Sequence, residues 1–151
     1  TVVILTGDHS QEFNNNGKGF WGHNGNYSAY QLQVPFVYYD SRLAAAEYDH
    51  WSIHYDVVPT LMQDVFGVSN PSSDYSIGKS LRDTTPRDFV MVDSYIGYGF
   101  VDEPGNITNF YYDHTCEMLD KNLNVRRDAP FDSLTYAKTM ALINDFYAKR
   151  P

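Results

Sequence analysis

The sequence predicts an α/β protein, and three observations carry that reading. The first is the short unbroken apolar run Val2, Val3, Ile4 and Leu5, closed by Gly7 and followed at once by Asp8 and His9. Such a run reads as a strand buried on both faces, as inside a parallel sheet. The second is a helical repeat of apolar residues in HYDVVPTLMQDVFGV. The third is a change of pattern at Asp88, where β-branched and aromatic runs alternate with turn residues and a last helical repeat closes the chain. Together they predict parallel-type strands in a core spanning residues 1–85. A small antiparallel sheet with a C-terminal helix should fill residues 86–151.

Each element has its own signal. Gly7 should let the backbone turn sharply at the end of the first strand. Residues 11–26 read as loop, because Asn14, Asn15, Asn16, Gly17, Gly19, Gly22, Gly25 and Asn26 are turn formers. Phe20 and Trp21 within it read as an apolar plug pinning the loop to the body, rather than as a stacking surface. Glu12 reads as an ordinary surface carboxylate, with an extra ligand role as the alternative. LQVPFVYY, residues 32–39, reads as the second strand, with Pro35 at its entrance because proline cannot donate to a ladder. Gln31 just before it is placed to bond the loop backbone. Residues 41–50 read as connection, with a short helical turn at Leu43 to Glu47.

Asp56 is a good N-cap for the next helix. Val57, Val58, Leu61, Met62, Val65 and Phe66 should form its buried face. Pro59 falls in the first turn, and Gly67 ends the helix. His54 and Asp56 therefore read as capping and packing residues. Lys79 and Arg82 could be solvated or could touch an anion. Residues 89–94, 96–101 and 107–112 read as a meander split by Gly97, Gly99 and the turn Glu103 to Asn106. Leu123 to Arg126 could add a short strand. Asp113, His114 and Glu117 read as scattered polar residues rather than a second metal cluster. Asp132 or Ser133 should start the last helix. Its inner face would hold Leu134, Ala137, Ala141, Leu142, Asp145 and Phe146, with Lys149 and Arg150 at its negative end.

Composition narrows the function classes. The chain has 151 residues, is 42% hydrophobic and carries a formal net charge of −8. It can bury a core, and its charge repels nucleic acid and anionic surfaces. An anionic substrate would need local positive charge, such as a metal ion. The single cysteine, Cys116, excludes an intrachain disulfide. No stretch is long and apolar enough to span a bilayer. Thr1 already lies inside the first strand, and two parallel-type strands with one helix cannot cover VVIL on both faces. The expectation is therefore a C-terminal piece of a larger polypeptide, whose preceding part would supply the neighbouring strands.

The chemistry concentrates at the end of the first strand, where ligands bind in open α/β sheets. Asp8 and His9 offer an oxygen and a nitrogen donor suited to Zn, Mn, Mg or Ca. His23 is a third ligand or a donor to substrate. Against this, an Asp after a strand is often only a turn or capping residue. No phosphate-binding glycine loop, Gly-x-Ser-x-Gly elbow or Cys–His pairing is present.

The order TVVILTGDHS, WGHN, YQLQVPFVYY, HYDVVPTLMQDVFGV, DYSIGKSL resembles the alkaline-phosphatase superfamily in its sulfatase branch, over residues 1–83. The resemblance is greatest to envelope enzymes that transfer phosphoglycerol or phosphoethanolamine. It implies that Asp8 and His9 are a metal pair, and that His23 contacts metal or the transferred anion. It also implies that the nucleophile and remaining acidic ligands precede Thr1, so the fragment alone should be inactive. Gln31, Val34 and Pro35 match the strand entry, and Asp56, Pro59, Thr60 and Leu61 match a supporting helix start. Ser10 stands where the family usually has Gly. By the same resemblance the setting is the periplasmic face of a bacterial inner membrane, and the partner a membrane lipid or anionic ester. A regulatory module that keeps the fold without catalysis is the alternative.

Overall fold

The computed structural model describes residues 1–24 and 27–148. The expected turn residues Gly25 and Asn26, and the helix-end residues Lys149 and Arg150, lie outside the described residues. The class is α/β, with a small antiparallel sheet and a C-terminal helix as expected. The chain forms two compact units, Thr1–Tyr48 with Asp88–Ala129 and Asp49–Arg87 with Pro130–Pro151. Each draws on both sides of residue 85.

In the first unit, β1 (Val2–Thr6) pairs with β4 (Phe36–Asp40), and the pairing is antiparallel rather than parallel. A parallel return needs a crossover of a dozen or more residues, usually a helix. Here the connection is taken up by a hairpin of β2 (Glu12–Phe13) with β3 (Trp21–Gly22) and by the single helical turn α1 (Ala29–Leu32). β4 therefore comes back beside β1 in the opposite sense. Register places Val3 opposite Tyr39 and Leu5 opposite Val37, so these four side chains share one face. That face is open: the four are 40%, 52%, 62% and 51% exposed, respectively. The expected burial of the VVIL run on both faces is not met among the described residues. Val2 and Ile4, on the other face, are half-buried.

The 11–26 segment is not all loop. Asn14, at a positive φ of 58°, organises the hairpin tip. Its amide donates to the Phe20 carbonyl at 2.8 Å, and its Oδ1 accepts from the Gly19 amide at 2.6 Å. Such short strands leave no periodic trace in sequence. α1 was equally silent as an apolar repeat. Its signal is Ser28-x-x-Gln31, an N-cap pattern, and Ser28 Oγ does accept from the Gln31 amide. Pro35 stands at the strand entrance as expected. The proposed helical turn at Leu43 to Glu47 does not form. Gly7 has no left-handed φ; its role is close approach, since a Cβ would lie 3.2 Å from the His9 carbonyl oxygen.

The meander is a four-stranded sheet of β5 (Phe89–Ser94), β6 (Gly97–Asp102), β7 (Ile107–Tyr111) and β8 (Cys116–Leu119). The fourth strand falls where the sequence reading had only scattered polar residues. Leu123 to Arg126 contributes no strand, only a bridge from Val125 to Leu119. One face of the sheet carries Phe89, Tyr98, Phe100 and Phe110, with Tyr98 stacked on Phe110 at 5.2 Å and Phe100 edge-on to it at 5.6 Å. The other face buries Val90, Val101, Ile107 and Leu119. Tyr27 packs on this second face, 3.4 Å from where a Cβ on Gly99 would be, and its hydroxyl meets Ser94 Oγ at 3.4 Å. The glycine thus clears the seat that anchors the residue next to Ser28.

In the second unit, a 3-10 turn (His54–Asp56) leads into α2 (Val57–Asp64). Asp56 precedes the helix as expected, but its side chain turns away from it. It accepts from the Ile53 and Lys79 amides at 3.0 Å each and from the Arg87 guanidinium. Asp56 is fully buried and is the polar hub of this unit. Gly78 passes so close that a Cβ would sit 2.3 Å from the Tyr55 carbonyl oxygen. The expected apolar face of α2 is only partly inward: Pro59 and Thr60 are buried, whereas Val58, Val65 and Phe66 are exposed. α3 (Ser133–Ala148) starts as expected, with Asp132 Oδ1 accepting from the Thr135 amide at 2.9 Å. Its inner face is rotated from the expected one. Thr139 is buried and Tyr136, Met140, Ile143 and Phe146 flank it, while Leu134, Ala137, Ala141, Leu142 and Asp145 are exposed.

Candidate functional site

The site is built where β1 ends. The His9 amide donates to Asp8 Oδ1 at 3.0 Å, which folds the carboxylate back over its own turn. This bond is the main reason the Asp8 carboxyl titrates below its ordinary value, and the nearby charge of His9 and, more weakly, His23 adds to it. Asp8 is therefore a carboxylate at neutral pH, and its side chain is 90% exposed.

His9 Nδ1 lies 2.8 Å from the Ser10 carbonyl oxygen. A carbonyl can only accept, so Nδ1 carries the hydrogen, and in the neutral ring Nε2 keeps a lone pair. Nε2 is 3.7 Å from Asp8 Oδ2. In that form two acceptors face a common space, an arrangement a cation satisfies. A backbone carbonyl holding the far ring nitrogen is the usual way a ligating histidine is oriented. The Asp8–His9 donor set fits one edge of a divalent-cation site. Among the described residues, no group of three His, Cys, Asp or Glu side chains completes it.

His23 joins the pair from the hairpin. Its ring packs edge-on against His9 with centroids 4.2 Å apart. All three residues singled out from the sequence are thus together. Phe13 and Trp21, opposite each other on β2 and β3, are 66% and 59% exposed, so Trp21 is no buried plug. Phe20 is half-buried.

Glu12 is not a surface carboxylate. It has no solvent exposure, and Ser28 Oγ donates to its Oε1. Gln31 is buried beside it, and its carbonyl accepts from the Ser10 amide at 2.8 Å, the loop contact the sequence suggested. No direct signal in the sequence marked Glu12; the Ser28 capping pattern was the available clue.

The other candidates are committed elsewhere. Lys79 Nζ bonds the Thr85 carbonyl and hydroxyl, and Arg82 Nε holds Asp64 Oδ2 at 2.8 Å, so neither forms an anion site. Asp113 accepts from the Thr115 amide and hydroxyl, while Glu117 accepts from the Tyr111 hydroxyl at 3.0 Å. These residues serve turns and strand edges. Cys116 is exposed and free. No helix among the described residues is long and apolar enough to cross a membrane.

Residues 1–68 match the sulfatase family model. The chain is also 33% identical over 134 residues to an uncharacterized protein of Haemophilus influenzae, an alignment covering 80% of this chain and 22% of that protein. The chain thus spans about a fifth of the length of that relative.

Proposed function

We propose, from the premise that residues 1–68 are a sulfatase-like segment of the alkaline-phosphatase superfamily, that this chain is the C-terminal part of a domain acting on phosphate or sulfate esters with a divalent metal. The observation that carries the reading is His9 Nε2 set 3.7 Å from the Asp8 carboxylate, with its Nδ1 held by the Ser10 carbonyl and His23 packed alongside. Asp8 and His9 would hold the cation, whether Zn, Mn, Mg or Ca. When bound, such an ion polarises the ester oxygen and stabilises developing charge. His23 would donate to the transferred anion from the open side of the pair. The nucleophile and remaining ligands would come from a preceding part of a longer polypeptide, so these residues alone would be inactive. That part would also cover the open face of β1 and β4, where 40–62% exposure leaves Val3, Leu5, Val37 and Tyr39 in water.

The finer assignment is to envelope proteins of the YejM kind, the inner-membrane sulfatase-like proteins of Gram-negative bacteria. On this assignment the domain lies at the periplasmic face and works on lipopolysaccharide or phospholipid balance. The substrate or ligand is then a membrane lipid carrying an anionic ester. A second reading, a lipid- or protein-binding module without turnover, is favoured by the exposed Phe13–Trp21 pair beside the histidines. Metal analysis of the natural-length polypeptide separates the two. Stoichiometric metal, lost in Asp8→Ala and His9→Ala, supports the ester chemistry. Absence of metal, with Asp8→Ala still complementing in cells, supports the binding module.

A further inference from the structure

The β2–β3 hairpin is inside out. Its carboxylate, Glu12, is fully buried, while its aromatic residues Phe13 and Trp21 face water. Burial of apolar area alone would favour the opposite register, since a one-residue slip exchanges the two faces of a strand. Something polar must therefore hold this register. Ser28 Oγ donates to Glu12 Oε1, whereas Glu12 Oε2 and Gln31 Oε1 are buried with no hydrogen-bond partner among the described residues. A carboxylate buried with one oxygen unpaired is expensive.

The bonds made by Ser28 lead on to the site. Its Oγ also accepts from the Gln31 amide at 3.2 Å. The Gln31 carbonyl accepts from the Ser10 amide, and the Ser10 carbonyl accepts from His9 Nδ1, each at 2.8 Å. Hydrogen bonds linked through the backbones of Gln31 and Ser10 thus connect the buried carboxylate to the imidazole. The same hairpin carries His23 to within 4.2 Å of the His9 ring, since Glu12 pairs with Gly22, the residue before it.

We propose that Glu12 and Ser28 are positioning residues for both histidines: through Gln31 and Ser10 they hold His9 as the Nδ1–H tautomer, and through the β2–β3 register they seat His23 against it. Neither touches the reacting atoms. The proposal rests on the reading of Asp8 and His9 as a cation pair, but its test does not require the cation.

The test is nitrogen-resolved NMR of the histidine rings in the full chain. Neutral His9 in the wild type should show hydrogen on Nδ1; hydrogen on Nε2 overturns the proposal without any variant. Ser28→Ala should shift His9 toward the Nε2–H form and weaken the ring contact with His23. Ser28→Gly is the second variant, because glycine is tolerated at an N-cap and keeps α1. Glu12→Gln retains a carbonyl to accept from Ser28, so it should keep the wild-type His9 spectrum, whereas Glu12→Ala should lose it. A His9 spectrum unmoved in folded Ser28→Gly and Glu12→Ala overturns the proposal, as does Glu12→Gln behaving like Glu12→Ala. Zinc titration of the natural-length polypeptide distinguishes the two failures. A loss of about 10–100-fold in Ser28→Gly is expected of an outer partner of a ligand. Equal zinc binding in both sinks the positioning role alone. No zinc binding in any form, with the tautomer still dependent on Ser28, sinks the metal reading alone.

Discussion

The β1–β4 ribbon and the β5–β8 sheet are built from similar residues, yet they solve the burial problem differently. The sheet has enough strands to bury apolar side chains on both faces: aromatic rings cluster on one, and Val90, Val101, Ile107 and Leu119 are buried on the other, where Tyr27 packs at Gly99. The ribbon has two strands and apolar residues on both faces, and two strands cannot cover themselves. Its open face holds Val3, Leu5, Val37 and Tyr39. Its closure is polar instead. Asp40 is buried and takes the Arg42 guanidinium on both oxygens, and the Thr1 ammonium reaches Ser41 Oγ. Strand-like composition alone therefore does not tell a sheet that covers both faces from a ribbon that leaves one open.

Substitutions can break or sharpen this contrast. The largest effect belongs to the sheet. Phe100, 4% exposed and in contact with three aromatic rings, should lose about 3–5 kcal/mol of stability as Phe100→Ala, read by denaturant unfolding. A loss as small as that of an exposed site would show that the sheet is not the stable centre of its unit.

Next comes the polar closure of the ribbon. The Arg42 guanidinium and amide hold the Asp40 carboxyl at about 2. A carboxyl depressed in the folded state stabilises the fold above its unfolded value, and that contribution fades as pH falls from about 4 toward 2. Carbon-detected titration of Asp40 should show its midpoint near 2. In Arg42→Ala it should return toward the ordinary 3.8. An unchanged midpoint would mean that Arg42 does not close the ribbon.

The smallest effect is at the open face. Leu5→Ser should change the stability of this chain by no more than about 0.5 kcal/mol, as at other exposed positions. In the natural-length polypeptide the same change should cost several times more, if a preceding segment covers the ribbon. Equal effects in both would leave the open face without that partner.

Much of the site was legible because it is local. Asp8 and His9 are adjacent, and a strand end followed by Gly, Asp and His is a short-range pattern that survives without tertiary context. The Asp132 cap, the entrance at Pro35 and the meander strands were legible for the same reason. Helix faces were not. The apolar repeats of α2 and α3 define stripes, but which stripe turns inward depends on what each helix meets, and in both cases the inner stripe is rotated from the expected one. The capping and packing role of Asp56 was legible, but its further partners were not, because Lys79 and Arg87 reach it from far along the chain.

What the order of residues determined by itself was chemistry and local geometry: an acid and an imidazole after an apolar strand, turns at Asn and Gly, a run of antiparallel hairpins. What only the folded chain decided was who faces whom. It put Glu12 inside and Trp21 outside, returned β4 antiparallel to β1, and brought His23 against His9. The reason is that side-chain exposure and strand sense depend on distant partners, such as the Ser28 hydroxyl that meets Glu12 inside the fold.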